Sequence, residues 1–313
     1  MCNIKSCFVL RASCFVNSIT MHDARSTKHG KIVGIILFFL FIFNHANAAN
    51  IASINPIYQI LLAISADKNN SILIISPNVS EHNYQLKKND ITAFAKADLV
   101  FYVDDSLEKN FPKLIKNLHL EKKSYALSQI SGIKLLPRRQ NSKQLDSHLW
   151  LNPQNGIKIA EFMTARLCEN DQKNCQKFRN NFEKFKKEIA KTETIIAEKL
   201  AKINVSQAVF YHDGYQYFED YFDIKPAKIM TNDHTKELAI KDLREFADMA
   251  EAGKIKCIFG ETLDEKNSAL KLAQNYHLKF MILDLIGSKE NFGEETNGYA
   301  ALLMNMVLDL EAC

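Results

Sequence analysis

Short apolar runs alternate with amphipathic stretches along most of this chain, on both sides of one long helical signal. Apolar runs this short, bounded by polar residues, read as buried strands, and the stretches between them read as crossover helices. The candidate strands of the first half are Ile51–Ile54, Ile72–Ser76, Leu99–Val103 and Tyr125–Leu127. Those of the second half are Ala208–Tyr211, Ala227–Met230, Cys257–Gly260 and Phe280–Leu283. The pattern predicts an α/β fold with parallel strands, about four in each half. Between the halves Phe178, Phe182, Phe185, Ile189, Ile196, Leu200 and Ile203 step by three, four or seven residues, with Lys, Glu and Asn filling most other positions. That spacing predicts one amphipathic helix of about thirty residues. A continuous helix is a stiff strut, unlike a Gly- or Pro-rich hinge. The expected partition is therefore a lobe over 49–171, a linker helix over 172–204 and a second lobe over 205–313.

The N-terminus reads as an export signal. A basic stretch with Arg25, Lys28 and Lys31 precedes the apolar run Ile32–Phe43, and Ala46-Asn47-Ala48 fits the small-residue cleavage rule. Twelve apolar residues fall short of a bilayer span, so a signal peptide over 1–48, cut after Ala48, is expected, with Met21 as an alternative start. The residue directly after the cut is Ala49, not a cysteine, which disfavours a lipid anchor. Residues 1–48 carry five of the 40 basic and one of the 36 acidic residues, so the formal charge of +4 vanishes in the remaining body, 35 against 35. A neutral body gives no footing for nucleic-acid binding.

Of seven cysteines, Cys2, Cys7 and Cys14 fall in the leader, and Cys168, Cys175, Cys257 and Cys313 remain. An even number in an exported chain fits disulfides. Three connectivities are open. Cys257–Cys313 is favoured because it would tie the final helix to a strand, leaving Cys168–Cys175 as a local clip. A thiolate metal site is the alternative, but these spacings match no zinc-thiolate pattern.

The chemistry sits where the apolar runs stop. His212 follows Gln207–Tyr211, Asp284 closes Lys279–Leu283, Glu81 and His82 lie in the loop after the run ending at Ser76, and His148 precedes a helix opening at Asn152-Pro153. In open parallel sheets ligands bind beyond the carboxyl ends of strands. Three neutral imidazoles and a carboxylate, His82, His148, His212 and Asp284, suit tetrahedral Zn²⁺, whereas Mn²⁺ prefers more oxygen donors. Glu81 is an alternative oxygen ligand. Glu261, which ends Cys257–Gly260, reads equally as a solvated strand end or as the group that orients a ligand imidazole. His119 and His277 lie in helical, Lys-flanked contexts and are expected to be exposed. His234 is a loop residue outside the set, and His22, His29 and His45 leave with the leader.

These motifs resemble the metal-binding components of ABC importers for zinc and manganese, most closely the periplasmic zinc-uptake proteins of Gram-negative bacteria (ZnuA type). Ser80-Glu-His-Asn-Tyr-Gln-Leu86 is similar to the first-histidine motif with the preceding glutamate of the zinc branch, continued by Asp90 and Ala97–Phe101. Asp146-Ser-His-Leu-Trp-Leu-Asn-Pro153 is similar to the second, His212-Asp-Gly-Tyr-Gln-Tyr-Phe-Glu219 to the third, and Leu283-Asp-Leu-Ile-Gly287 to the late aspartate motif. The resemblance covers residues 50–313. It implies two lobes, each a four-stranded mostly parallel sheet flanked by helices, bridged by one long rigid helix, and delivery of Zn²⁺ to a membrane permease driven by a cytoplasmic ATPase. It also implies a C-terminal cysteine paired with a strand cysteine. A monomer is expected. The sequence departs from the pattern at Ser147, where proline is common, at Leu285-Ile286 in place of Pro-Leu, and at Thr262-Leu263 in place of Pro-Gln. Residues 104–146 hold one histidine and lack the His- and acid-rich loop of many zinc members.

Other classes fit less well. A manganese or iron binder of the same fold would want more oxygen ligands. A zinc hydrolase with Glu81 or Glu261 as base would need an open coordination position, and no HExxH helix is present. An adhesin-like surface protein would keep its binding after chelation.

Overall fold

The computed structural model describes residues 49–79, 81, 84–139, 141–231, 238–261, 263–288 and 298–313, with the side chains of 263–267 left aside. The expected signal segment, His82 and His234 lie outside the described residues. In chain order the elements are β1 Asn50–Ala52, α1 Asn55–Ser65, β2 Ser71–Leu73, α2 Lys88–Ala95, β3 Leu99–Tyr102, α3 Phe111–Asn117, β4 Ser124–Ala126, the hairpin strands β5 Pro137–Arg138 and β6 Asn141–Leu145, and α4 Pro153–Asn170. Then follow α5 Cys175–Leu200, β7 Ala208–His212, α6 Gln216–Phe222, β8 Lys228–Thr231, α7 Ile240–Glu251, β9 Cys257–Gly260, α8 Leu263–Asn275, β10 Lys279–Ile282 and α9 Gly298–Glu311.

Two four-stranded sheets result, in the orders β2-β1-β3-β4 and β10-β9-β7-β8, and every pairing within them is parallel. All eight strand expectations correspond to a strand in one of the two sheets, shifted by at most a few residues at the ends. The antiparallel hairpin β5–β6 was not expected. Its second strand, Asn-Ser-Lys-Gln-Leu, is polar and almost wholly exposed, so it carries no apolar run to read.

The long helix is α5, 26 residues and so about 39 Å. It buries Phe178, Phe185, Ile189, Thr192, Ile196 and Leu200; of the expected stripe Phe182 is only half-buried, and Thr192 joins it. Ile203 lies beyond its end. α5 packs on α4, α1 and α9, so it is embedded between helices of both halves rather than spanning open solvent. Cys168, near the end of α4, is bonded to Cys175 at the start of α5, and Cys257 of β9 to Cys313, with Cα separations of 4.4 and 5.8 Å.

His119 and His277 are exposed, but they are not helical. Each takes the left-handed conformation just past a helix, at φ 56° and 55°. The next amides, Leu120 N and Leu278 N, return to Ile115 O (2.9 Å) and Ala273 O (2.8 Å), closing the last helical turn.

Candidate metal centre

The alternation along β7 decides where His212 faces. Val209 and Tyr211 enter a small core cluster on one side of the second sheet, while Ala208 and Phe210 enter the large cluster shared with the first sheet and α5. With a side-chain period of two, His212 falls on the shared side. On neighbouring β9, Ile258 belongs to the small cluster and Cys257 and Phe259 to the large one, which puts Glu261 on that same side. The two meet: His212 Nδ1 lies 2.7 Å from Glu261 Oε1, with side chains only 3% and 5% exposed. Of the two roles open to Glu261, the solvated strand end is therefore incorrect.

His148 arrives from the first half. Asn152 caps α4, accepting from Gln154 N (2.8 Å) and Asn155 N (3.3 Å), with Pro153 in the first helical turn. A 3-10 turn, Leu149–Leu151, joins His148 to that cap and is fully buried. His148 Nδ1 lies 2.7 Å from Asp146 Oδ1, which also accepts the His148 amide at 3.1 Å. Asp146 opens the second-histidine motif, and its role shows only in the fold. Its signal is the two-residue spacing, which lets one carboxylate hold both the backbone and the ring. Ser147 Oγ sits 3.1 Å from Ser106 Oγ, and Ser106 Oγ in turn donates to Asp104 Oδ1. The departure from proline at 147 thus supplies a hydroxyl to a buried polar chain.

The two imidazoles are juxtaposed, with ring centroids 5.3 Å apart at 73°. Buried Glu81 is close enough to feel both His148 and Glu261. Burial raises the Glu81 carboxyl to about 7, offset only in part by a backbone hydrogen bond and then by His148. Burial pulls the His148 imidazole down, but Asp146, Glu261 and Glu81 outweigh it and raise it to about 9. Gly214 is required here: a Cβ would fall 2.6 Å from Glu261 Oε1 and 2.9 Å from His212 Nδ1.

Asp284 is buried two residues past β10. Its Oδ1 accepts from Gly287 N (2.8 Å) and Ile286 N (3.2 Å), and its Oδ2 from Ser288 Oγ (3.0 Å). The same loop is tied to the first half, because Asn55 Nδ2 donates to Ile286 O and Gly287 O, both at 2.9 Å. The segments beyond the carboxyl ends of both sheets therefore meet at one place. Among the described residues no three His, Cys, Asp or Glu side chains stand close enough together to hold a metal ion. The structure brings together His148, His212, Glu81 and Glu261. His82 lies outside the described residues.

The arrangement resembles a ligand pair prepared in advance. A carboxylate on Nδ1 fixes each ring and its tautomer, and makes Nε2, the nitrogen that an imidazole held in this way uses toward a metal, more basic.

Comparison with known proteins agrees with this architecture. The family described as zinc-uptake complex component A, periplasmic, matches residues 51–313. A high-affinity zinc uptake system protein ZnuA of Brucella abortus is 24% identical over 305 residues, covering 84% of this chain and 90% of that protein. A manganese-bound periplasmic metal-binding protein from Candidatus Liberibacter asiaticus superimposes with TM-score 0.70 at 19% identity, over 85% of this chain and 99% of that one. Zinc-bound AdcA from Streptococcus pneumoniae gives 0.67 at 22%, over 85% and 57%.

Proposed function

We propose that this chain, which belongs to the family of periplasmic A components of zinc-uptake complexes, captures Zn²⁺ where its two sheets meet and delivers it to an ABC permease driven by a cytoplasmic ATPase. The observation that carries the reading is the facing pair His148 and His212, each ring held at Nδ1 by its own carboxylate. His82 would supply the third imidazole. Asp284 would supply an oxygen, with Glu81 as the alternative. Three neutral imidazoles with one carboxylate suit tetrahedral zinc at about 2.0–2.2 Å. In this reading residues 1–48 direct export and are removed after Ala48, and the partition 49–171, 172–204 and 205–313 separates the lobes from the linker helix. The protein works as a monomer and performs no catalysis. A manganese-specific reading draws on the manganese-bound neighbour, but the imidazole-rich set favours zinc.

Calorimetric titration of the exported chain tests this. Zinc should bind one to one and far more tightly than manganese. His148→Ala and His212→Ala should each weaken zinc by at least about a hundredfold, since losing even a partner that only orients a ligand weakens binding by about 10–100-fold. His119→Asn is the control, because Asn tolerates the left-handed backbone at that position. Unchanged zinc binding in both histidine variants would refute the assignment.

A further inference from the structure

The two halves are joined in two different ways. On one side the contact is apolar and deep: α5 between α1, α4 and α9, and Tyr299 stacked on Phe185 with its hydroxyl donating to Trp150 O at 2.6 Å. On the other side the contact is polar and shallow, and it is made by the β5–β6 hairpin and the residues leading into it. Pro137 and Asn141–Gln144 are exposed, so burial of its own side chains does little to hold the hairpin. What holds it to the second half is a row of polar bonds to α6 and to the turn after β7. Tyr217 Oη accepts from Leu136 N and donates to Asp146 O, both at 2.9 Å. Gln216 Nε2 donates to Pro137 O at 3.1 Å, and Lys134 pairs with Asp220. Arg139, at the hairpin turn, pairs with Asp213 through Nη1 and with Glu219 Oε2 through Nη2 at 2.8 Å. Arg139 is 33% exposed, whereas both carboxylates are only 7% exposed.

We propose that Arg139 is the clasp of a strap that governs release of the captured ion, acting as a positioning residue through Asp213 and Glu219. The inference rests on the metal-capture reading above. Asp213 directly follows His212, and Tyr217 reaches the carbonyl of Asp146, two residues before His148. The strap therefore ties the backbone that carries one imidazole to the backbone that carries the other. Release requires those two backbones to part. The apolar side cannot open without exposing core, so the polar side is where separation is cheap. Removing the guanidinium leaves two buried carboxylates facing each other without their cation, which favours the parted arrangement. Since an interlobe ion pair acts after the ligands have formed, its loss should appear in the dissociation rate, not in coordination geometry.

The test is stopped-flow transfer of zinc from the exported chain to an excess of chromogenic chelator, with the absorption spectrum of the Co²⁺ form as the record of ligand geometry. Arg139→Ala should release zinc about tenfold faster with an unchanged Co²⁺ spectrum. Arg139→Lys should fall between it and the wild type, because an ammonium cannot bridge two carboxylates as a planar fork does. Glu219→Gln should also speed release, and adding it to Arg139→Ala should bring no further gain. A wild-type release rate in folded Arg139→Ala overturns the strap. If that variant does not fold, hydrogen exchange on the wild type decides: amides of Leu136, Arg138, Arg139 and 141–145 should exchange faster when zinc is removed, and equal exchange overturns the proposal. A wild type that binds no zinc sinks the metal-capture reading itself, and the strap with it.

Discussion

At the scale of single residues, the centre is a problem of protons. In the metal-free protein His148 is lodged among Asp146, Glu261 and Glu81, and its pKa of about 9 lies above the free value of 6.5. The sign follows directly. A raised imidazole pKa stabilises the metal-free fold fully below about 6.5, and that contribution is lost as pH climbs through about 9. Zinc needs the same nitrogen unprotonated, so binding in this window must expel the proton, and affinity should rise with pH until about 9. Calorimetry near pH 7.5 in buffers of different ionisation enthalpy should show about one proton leaving His148 per zinc bound. Asp146→Asn should cut that release and weaken zinc by about 10–100-fold, because the ring loses its charge partner and is left with a neutral amide that no longer enforces one tautomer. Proton release equal to wild type in Asp146→Asn would contradict the role given to Asp146. The residue types at this site were visible in the sequence, since His212 and His148 stand at run ends where ligands collect. Their pairing with Glu261 and Asp146 was not. Glu261 is 49 residues from His212, and only the register of β7 on β9 makes them neighbours.

At the scale of elements, the legible parts were those whose burial is two-sided. Parallel strands covered on both faces must be apolar throughout, so Leu99–Tyr102 and Cys257–Gly260 stand out as runs. α5 stands out because its single buried stripe repeats at helical spacing over 26 residues. The β5–β6 hairpin escaped because its stability comes from polar bonds to another lobe, which leave no periodic trace. The disulfides are also element-scale devices, and their separations in sequence rank them. Cys257–Cys313 closes 56 residues and joins β9 to the end of α9, whereas Cys168–Cys175 closes only 7. On the chain-entropy account the first constrains the unfolded chain by about 4 kcal/mol and the second by about 2. Thermal unfolding of Cys257→Ala/Cys313→Ala should therefore fall further below wild type than that of Cys168→Ala/Cys175→Ala. The reverse order would show that native packing at the α4–α5 junction, rather than loop closure, sets the contribution of the local bridge.

At the scale of the whole molecule, the two sheets do not have separate cores. One cluster of buried side chains runs from Ile51 and Phe101 of the first sheet, through Phe185 and Ile196 of α5, to Phe210 and Phe259 of the second. The smaller cluster around Val209, Phe246 and Ile258 lies on the far face of the second sheet only. A continuous core couples the halves thermodynamically: neither can lose its packing without stripping apolar surface from the other, so intermediate states with one lobe folded are disfavoured. The single tryptophan is placed to test this. Trp150 is fully buried in the first half, and its Nε1 donates to Leu285 O of the second at 2.9 Å. Its fluorescence reports the junction, while far-UV circular dichroism reports helices throughout. Denaturant unfolding followed by the two signals should give superimposable curves with one midpoint, and saturating zinc should move both together by the same increment, since a ligand held by both halves stabilises only the state in which they are joined. Fluorescence that changes well before circular dichroism would mean that the junction opens while the lobes stay folded. Release would then proceed by wide separation of two independent bodies, and a polar strap at one edge would not be enough to control it.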